Sequence, residues 1–213
     1  MQNLRKSTLI CVLLICKITF VVAQSDTSGV YLTKTGFLSN TLQYKTINNI
    51  HTPCFPLFAR FIISREAFPI HIKKDKKNTI TFSPGSIFAF NNNCVKYLYL
   101  KKSNSYVAFI NDDPPIFMIV QKKVHFSGTT AFADDIYLYT KNLDEPFKEF
   151  TKENIIVDFA SNKIAAALLL DLRQKIIKNG YDAEIHKSAF LKCRKMVGLY
   201  MKKLKWVLTE NKG

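Results

Sequence analysis

The hydrophobic pattern of this chain changes its period after Pro146, and this change limits the fold more than any other feature. Between Leu57 and Thr140, short runs of β-branched and aromatic residues alternate with turn sequences such as Ser83-Pro84-Gly85. Strands separated by such turns are typical of an antiparallel meander. After Pro146, apolar residues recur at helical spacing. The sequence therefore predicts an α+β protein, an antiparallel β-meander (sandwich or barrel) followed by a C-terminal pair of α-helices.

The helical part contains its own start and stop signals. The first helix is predicted to begin after Thr151, whose hydroxyl can cap it, and to end at Asn179-Gly180. The second is predicted to run from about Ser188 to Thr209. Its apolar residues fall on one face, namely Phe190, Cys193, Met196, Val197, Tyr200, Met201, Leu204, Val207 and Leu208.

Residues 1–23 have the three parts of a cleavable secretory signal. Arg5 and Lys6 form a basic start, an apolar run follows, and Ala23 stands at the expected cleavage site. The apolar run is about 15 residues long and Lys17 interrupts it, whereas a bilayer span needs about 20 residues. We therefore predict a signal peptide at 1–23, entry into the secretory pathway, an extracellular destination and no transmembrane segment in the mature chain.

The segment behind the leader, residues 25–50, is rich in Ser, Thr and Asn, with Asp26 as its only acid. Such a composition is found in second targeting signals, as in the bipartite leaders of proteins sent to secondary plastids. It also suits an ordinary N-terminal strand pair, Gly29–Thr33 and Thr41–Ile47, which we expect here. A protein of a plastid or another lumenal compartment is the alternative.

The mature chain, about 190 residues, is long enough for one domain with a full core. We predict a β-rich region at 24–145 and a C-terminal helical hairpin at 146–213, packed together as one domain.

Three cysteines remain after the leader, and in an oxidising compartment they allow one disulfide and one free thiol. Cys54 and Cys94 are the disulfide candidates because both lie in the β-rich half. Cys193 falls on the apolar face of a predicted helix, where a thiol acts as a small hydrophobic group. The cysteines match no zinc spacing, and the histidines have no partner at metal spacing. We predict no metal site and no cofactor.

The last predicted helix and the residues after it contribute much of the chain's net positive charge, which is +15. Residues 187–213 contain eight basic residues and one acid, Glu210. A basic amphipathic helix with a Trp can lie on an anionic membrane or contact phosphate, and a helix docked on the domain with solvated lysines shows the same pattern. The candidates for anionic binding on this helix are Lys192, Arg194, Lys195, Lys202, Lys203, Lys205 and Trp206.

A second basic cluster, Lys73, Lys74, Lys76 and Lys77, lies in a predicted hairpin loop and is a further candidate for this anionic surface. Codon bias accounts for part of the charge, because 26 of the 31 basic residues are Lys and residues with AT-rich codons are frequent throughout. This composition is typical of an AT-rich genome such as that of many protozoan parasites.

These features predict a secreted, non-enzymatic protein that binds an anionic partner through a basic surface and the C-terminal helix. The partner classes are an acidic protein, a glycan or a lipid surface, since export disfavours nucleic acid. No catalytic motif indicates an enzyme. The alternative is a carrier, in which aromatic residues of the strands, among them Phe88, Phe90 and Phe109, line a barrel cavity for a small apolar ligand.

Overall fold

The structure, a computed structural model, describes residues 28–46, 50, 68–73, 78–92, 95–127, 130–179 and 187–210. Its strands are β1 Ser28–Tyr31, β2 Tyr44–Thr46, β3 Ile70–Lys73, β4 Thr79–Phe82, β5 Ala89–Asn92, β6 Val95–Leu100, β7 Ser105–Asn111, β8 Phe117–Ser127, β9 Thr130–Thr140 and β10 Lys148–Glu149. Its helices are α1 Lys34–Leu38, α2 Lys152–Asp158, α3 Lys163–Asn179 and α4 Lys187–Glu210. The predicted signal peptide and both disulfide candidates, Cys54 and Cys94, lie outside the described residues.

The larger sheet has eight strands in the order β10-β9-β8-β7-β6-β5-β1-β2, and neighbouring strands are antiparallel. The strands β5 to β10 follow one another as a meander, and the helices α2, α3 and α4 come after them. The predicted α+β class is therefore confirmed. Among the described residues no ladder joins β10 to β2, so the strand order has two open ends. The strands β3 and β4 form a separate two-stranded sheet.

The N-terminal strand pair is part of the large sheet. The strand β1 lies between β5 and β2, and all four of its residues are buried. This confirms the predicted strand pair, although both strands are shorter than expected. The helix α1, which the sequence did not predict, connects them, and the Thr33 hydroxyl caps its start by accepting a hydrogen bond from the Gly36 amide at 3.1 Å.

The helices cover one face of the sheet. Side chains of β7, β8 and β9, including Ile110, Met118 and Tyr139, share one apolar cluster with the buried faces of α3 and α4. On the same face, Ile70 and Ile72 of β3 cover Val30 of β1 in a second cluster. The alternation of side chains along a strand is what sends these residues to one side of the sheet.

The opposite face of the sheet is covered by α1 and by the loop before β10. The ring of Phe37 in α1 stacks on Phe109 in β7, with 5.0 Å between the ring centroids. Leu143 and Phe147 from the loop pack against the same cluster. Lys34 and Asp144 form an ion pair that joins α1 to this loop. Both faces of the sheet therefore contribute to a core.

The segment predicted as one helix after Thr151 is two helices, α2 and α3. Thr151 caps α2 as expected, because its hydroxyl accepts a hydrogen bond from the Asn154 amide at 3.2 Å. The chain leaves the helical conformation after Asp158, and the side chain of Asn162 starts α3 by accepting a hydrogen bond from the Ala165 amide at 2.9 Å. A second capping residue inside a continuous apolar pattern is the physical reason for the break.

The end of α2 is joined to the sheet through Asp158. The hydroxyl of Tyr139 in β9 donates to one carboxylate oxygen of Asp158 at 2.8 Å, and the Lys148 ammonium lies 2.6 Å from the other. Burial alone would raise the pKa of Asp158, but the hydrogen bonds from Lys148 and Tyr139 and the charges of Lys148 and Lys141 lower it below its ordinary value. Burial and the bond to Asp158 also raise the pKa of Tyr139.

Candidate functional site

The buried face of α4 determines which of its residues meet solvent. The apolar face predicted from the sequence packs on the sheet and on α3, with Cys193 1% exposed and Val197 and Leu204 fully buried. Met196 and Leu208 lie at the margins of this contact and are half-buried. Since one side of the helix is in the core, the opposite side is directed outward from Leu191 to Trp206.

The outward side of α4 carries lysines together with large apolar residues. We call it the basic outer face and define it by eight residues, Leu191, Lys192, Lys195, Leu199, Lys202, Lys203, Lys205 and Trp206. All five lysines are exposed. Leu191 is 41% exposed, Leu199 55% and Trp206 60%. Within residues 187–210 the only acid is Glu210, at the end of the helix, so no carboxylate of α4 lies among these lysines.

Arg194, also predicted as an anion-binding residue, is engaged within the protein. Its guanidinium lies 2.8 Å from one carboxylate oxygen of Asp112, and the Lys96 ammonium lies 2.7 Å from the other. The side chain of Asp112 is 12% exposed and that of Arg194 21%. The Lys96 ammonium also stands 5.0 Å from the ring centroid of Phe37. Arg194 therefore attaches α4 to the end of β7, and the outer-face lysines are the candidates for external contacts.

A second polar cluster attaches α4 to α3. The Tyr200 hydroxyl donates to the carboxylate of Asp171, and the Lys175 ammonium donates to the same hydroxyl. The hydrogen bond from Tyr200, followed by that from Lys175, lowers the pKa of Asp171 below its ordinary value. The bond to Tyr200, followed by that to Asp171, raises the pKa of Lys175. Lys203 of the outer face stands beside this cluster, 5.8 Å from the Tyr200 ring centroid.

Cys193 is a buried free thiol on the inner face of α4. Burial, with a smaller effect of the Asp135 charge, raises the pKa of this thiol to about 12. A thiol with so high a pKa is a poor nucleophile at neutral pH, so Cys193 acts as part of the apolar core, as the sequence predicted.

The second basic cluster lies over different strands from α4. Lys73, its one described member, is exposed at the end of β3. Lys74, Lys76 and Lys77 fall outside the described residues. The hairpin of β3 and β4 packs on residues of β1 and β5, whereas α4 packs on β6 to β9. The described part of the chain does not bring Lys73 into the basic outer face.

Three aromatic side chains considered for a ligand cavity, Phe88, Phe90 and Phe109, each contact another aromatic ring. Phe90 stacks on Tyr97 with 4.7 Å between ring centroids, and Phe88 lies 5.5 Å from Phe37, which covers Phe109. A surface cleft of about 310 Å³ is lined by Phe88, Tyr99 and neighbouring residues. Close ring contacts are typical of a filled core.

Within the described ranges, no group of three or more His, Cys, Asp or Glu side chains is placed to hold a metal ion. His71 is exposed and its Nδ1 lies 2.9 Å from the Thr81 hydroxyl, which gives this ring a structural contact across the β3–β4 hairpin. The helices of the described residues include none that is both long and apolar enough to cross a membrane.

Asp112 is the residue of this region that sequence reasoning missed. Its sequence context, Asp112-Asp113-Pro114-Pro115, predicted a turn, and the turn is present between β7 and β8. Its pairing with Arg194 joins residues 82 positions apart, and no local pattern indicates a contact over that separation. No protein-family model, curated protein or solved structure matches this chain.

Proposed function

We propose that this protein is a secreted, non-enzymatic binding protein that contacts an anionic partner through the basic outer face of α4. The observation that supports the proposal is the exposure of five lysines on one side of a helix whose other side is in the core. The predicted leader would take the protein into the secretory pathway, where acidic proteins, glycans and lipid surfaces are the anionic partners available.

The lysines of the outer face are presented at low entropic cost. The pairs Arg194–Asp112 and Tyr200–Asp171 hold α4 on the domain, so the helix does not have to fold when a partner binds. A lysine near an anionic surface contributes about 1 kcal/mol. Five such contacts total about 5 kcal/mol, which corresponds to a dissociation constant in the sub-millimolar range from charge alone.

Binding to fluorescent heparin, used as a soluble polyanion, tests this proposal. We expect binding that weakens steeply as salt rises, because exposed charges are screened over about 8–10 Å. The triple variant Lys202→Glu, Lys203→Glu and Lys205→Glu should bind at least about 100-fold more weakly, since it removes three attractive charges that contribute about 1 kcal/mol each and adds three repulsive ones. Circular dichroism should show an unchanged fold, because all three side chains are exposed and the hydrogen bonds among Tyr200, Asp171 and Lys175 do not use Lys203.

The matched control changes net charge by the same amount away from α4. Lys45, Lys101 and Lys102 are exposed lysines of β2 and of the connection between β6 and β7. Their triple replacement by Glu should leave heparin affinity within about threefold, because distant exposed charges are screened. An equal loss in both triple variants would show that only net charge matters. That result, or binding insensitive to salt, would overturn the proposal.

A further inference from the structure

The basic outer face carries large apolar side chains that a purely electrostatic surface does not need. Leu191, Leu199 and Trp206 follow one another at intervals of eight and seven residues, so they lie along one side of α4. Trp206 is 60% exposed and Leu199 55%. Exposed Trp on a basic helix is typical of helices that lie in a membrane interface, where the indole ring sits at the headgroup level.

The lysines alternate with these apolar residues along the same line. Lys195 lies between Leu191 and Leu199, and Lys202 lies between Leu199 and Trp206, at intervals of three and four residues. An apolar groove on a protein would desolvate ammonium groups in the middle of the contact. At a lipid surface, the long lysine side chain can lie along the apolar region while its ammonium reaches a phosphate. The alternating order favours lipid over a protein groove.

We propose that the basic outer face of α4 docks on an anionic lipid surface, with Trp206 and Leu199 entering the headgroup region and the lysines contacting lipid phosphates. This inference rests on the proposed function, because it names the anionic partner of the same face. A sulfated glycan offers charges to the lysines but no apolar phase to Trp206. The helix lies flat, since its inner face remains in the core.

Trp206 is the only Trp of the chain, so intrinsic tryptophan fluorescence reports this site alone. Protein purified after expression of the full chain would be mixed with vesicles of phosphatidylcholine and phosphatidylglycerol in equal parts. We expect a blue shift of the emission and quenching by lipids brominated near the headgroup, since a docked interfacial helix lies about 5–10 Å deep. Vesicles of phosphatidylcholine alone should cause neither change.

Variants separate the lipid contact from general anion binding. In cosedimentation with the same anionic vesicles, Trp206→Ala should reduce the affinity for the vesicles on the order of 10- to 100-fold. The variant lacks the large apolar side chain whose transfer from water into the lipid favours binding. Its heparin affinity should stay within about threefold of the wild type, because no charge has changed. The control is Leu38→Ala, which removes a 51% exposed apolar residue from α1 on the opposite side of the sheet and should leave vesicle binding unchanged.

The two proposals fail in different ways. Salt-sensitive heparin binding without a vesicle-induced blue shift and quenching would overturn the lipid proposal and leave the proposed function standing. Vesicle binding that Trp206→Ala does not weaken would also overturn it, and so would equal binding to neutral vesicles. An acidic protein groove becomes the better assignment if only a protein partner shields Trp206. If the wild-type protein binds neither heparin nor anionic vesicles, both proposals are rejected.

Discussion

Asp112 shows how one carboxylate can join three parts of this molecule. The guanidinium of Arg194 in α4 lies 2.8 Å from one of its carboxylate oxygens, and the ammonium of Lys96 in β6 lies 2.7 Å from the other. Lys96 in turn lies against the ring of Phe37 in α1. All three charged side chains are mostly buried, so the Asp112 carboxylate is a counter-charge that the two cations share in a poorly solvated place.

Replacing Asp112 by Asn should destabilise the protein by about 3 kcal/mol, because two largely desolvated cations would lose the carboxylate that they share. Urea unfolding of the wild type and variant measures the difference. Adding Arg194→Met to Asp112→Asn should cost less than the two single changes together, since the second substitution removes one uncompensated cation. Strictly additive effects, or a loss below about 0.5 kcal/mol for Asp112→Asn, would contradict the ion triad.

Single residues mark the limit of what the sequence could predict about the candidate site. The exposure of Lys195, Lys202 and Trp206 follows from helical periodicity, which the sequence displays directly. The ion pair of Arg194 with Asp112 does not follow from this periodicity. Arg194 lies at the edge of the same group of basic residues and differs from them only because it faces the end of β7. Its partner is set by tertiary packing between segments far apart in the chain.

Among the glycines of the described residues, Gly29 in β1 comes closest to the backbone of another element. A Cβ atom at Gly29 would lie 2.2 Å from the backbone carbonyl oxygen of Tyr44 in β2. The neighbouring strand can yield only by moving, since the obstructing atom belongs to its backbone. Gly198 in α4 differs, because a Cβ atom there would meet nothing within 4 Å.

Gly29→Ala should therefore destabilise the protein by about 2 kcal/mol through forced separation of β1 and β2. The matched control, Gly198→Ala, should stabilise it by about 0.5–1 kcal/mol, since alanine is the better residue in a helix interior. Thermal and urea unfolding of both variants checks the two signs. A neutral Gly29→Ala variant would be incompatible with the described pairing of β1 and β2.

At this scale the sequence predicted long and periodic elements best. The bounds of α4 agree with the prediction within a residue, because a continuous amphipathic pattern defines it. The break between α2 and α3 was missed, since Asn162 interrupts the helix while the apolar spacing continues across it. The two-residue strand β10 was missed because its pairing with β9 depends on tertiary position rather than on a pattern.

For the whole molecule, acid stability should depend on Asp158. The pKa of Asp158 is lower in the folded protein than in the unfolded chain, where an Asp carboxyl has a pKa of about 3.9. The ionised carboxylate therefore stabilises the fold at pH values above about 3.9, and this stabilisation is lost as the pH falls through the pKa of the folded state. Asp158→Asn should cost about 2 kcal/mol at neutral pH, and the difference from wild type should shrink as the solution is acidified.

Urea unfolding over a series of pH values tests this dependence. The control is Asp113→Asn, which removes the charge of an exposed residue of the β7–β8 turn and should change the free energy of unfolding by less than about 0.5 kcal/mol at neutral pH. A constant difference between Asp158→Asn and wild type down to acid pH would show that the carboxylate charge does not contribute. Any loss of stability in the variant would then come from the shape and hydrogen bonds of the side chain and not from its charge.

The place of β1 in the sheet also sets an order of assembly. The strands β6 to β9 pair with strands that are near neighbours in the chain. Gly29 of β1, however, pairs with Asn91 of β5, about 60 residues later. Closing this longer loop has a higher entropic cost. During synthesis β1, the first of the described strands to emerge, can pair early with β2 but must wait for β5. We therefore expect β1 to join β5 late, and until then its apolar residues depend on other protection from aggregation.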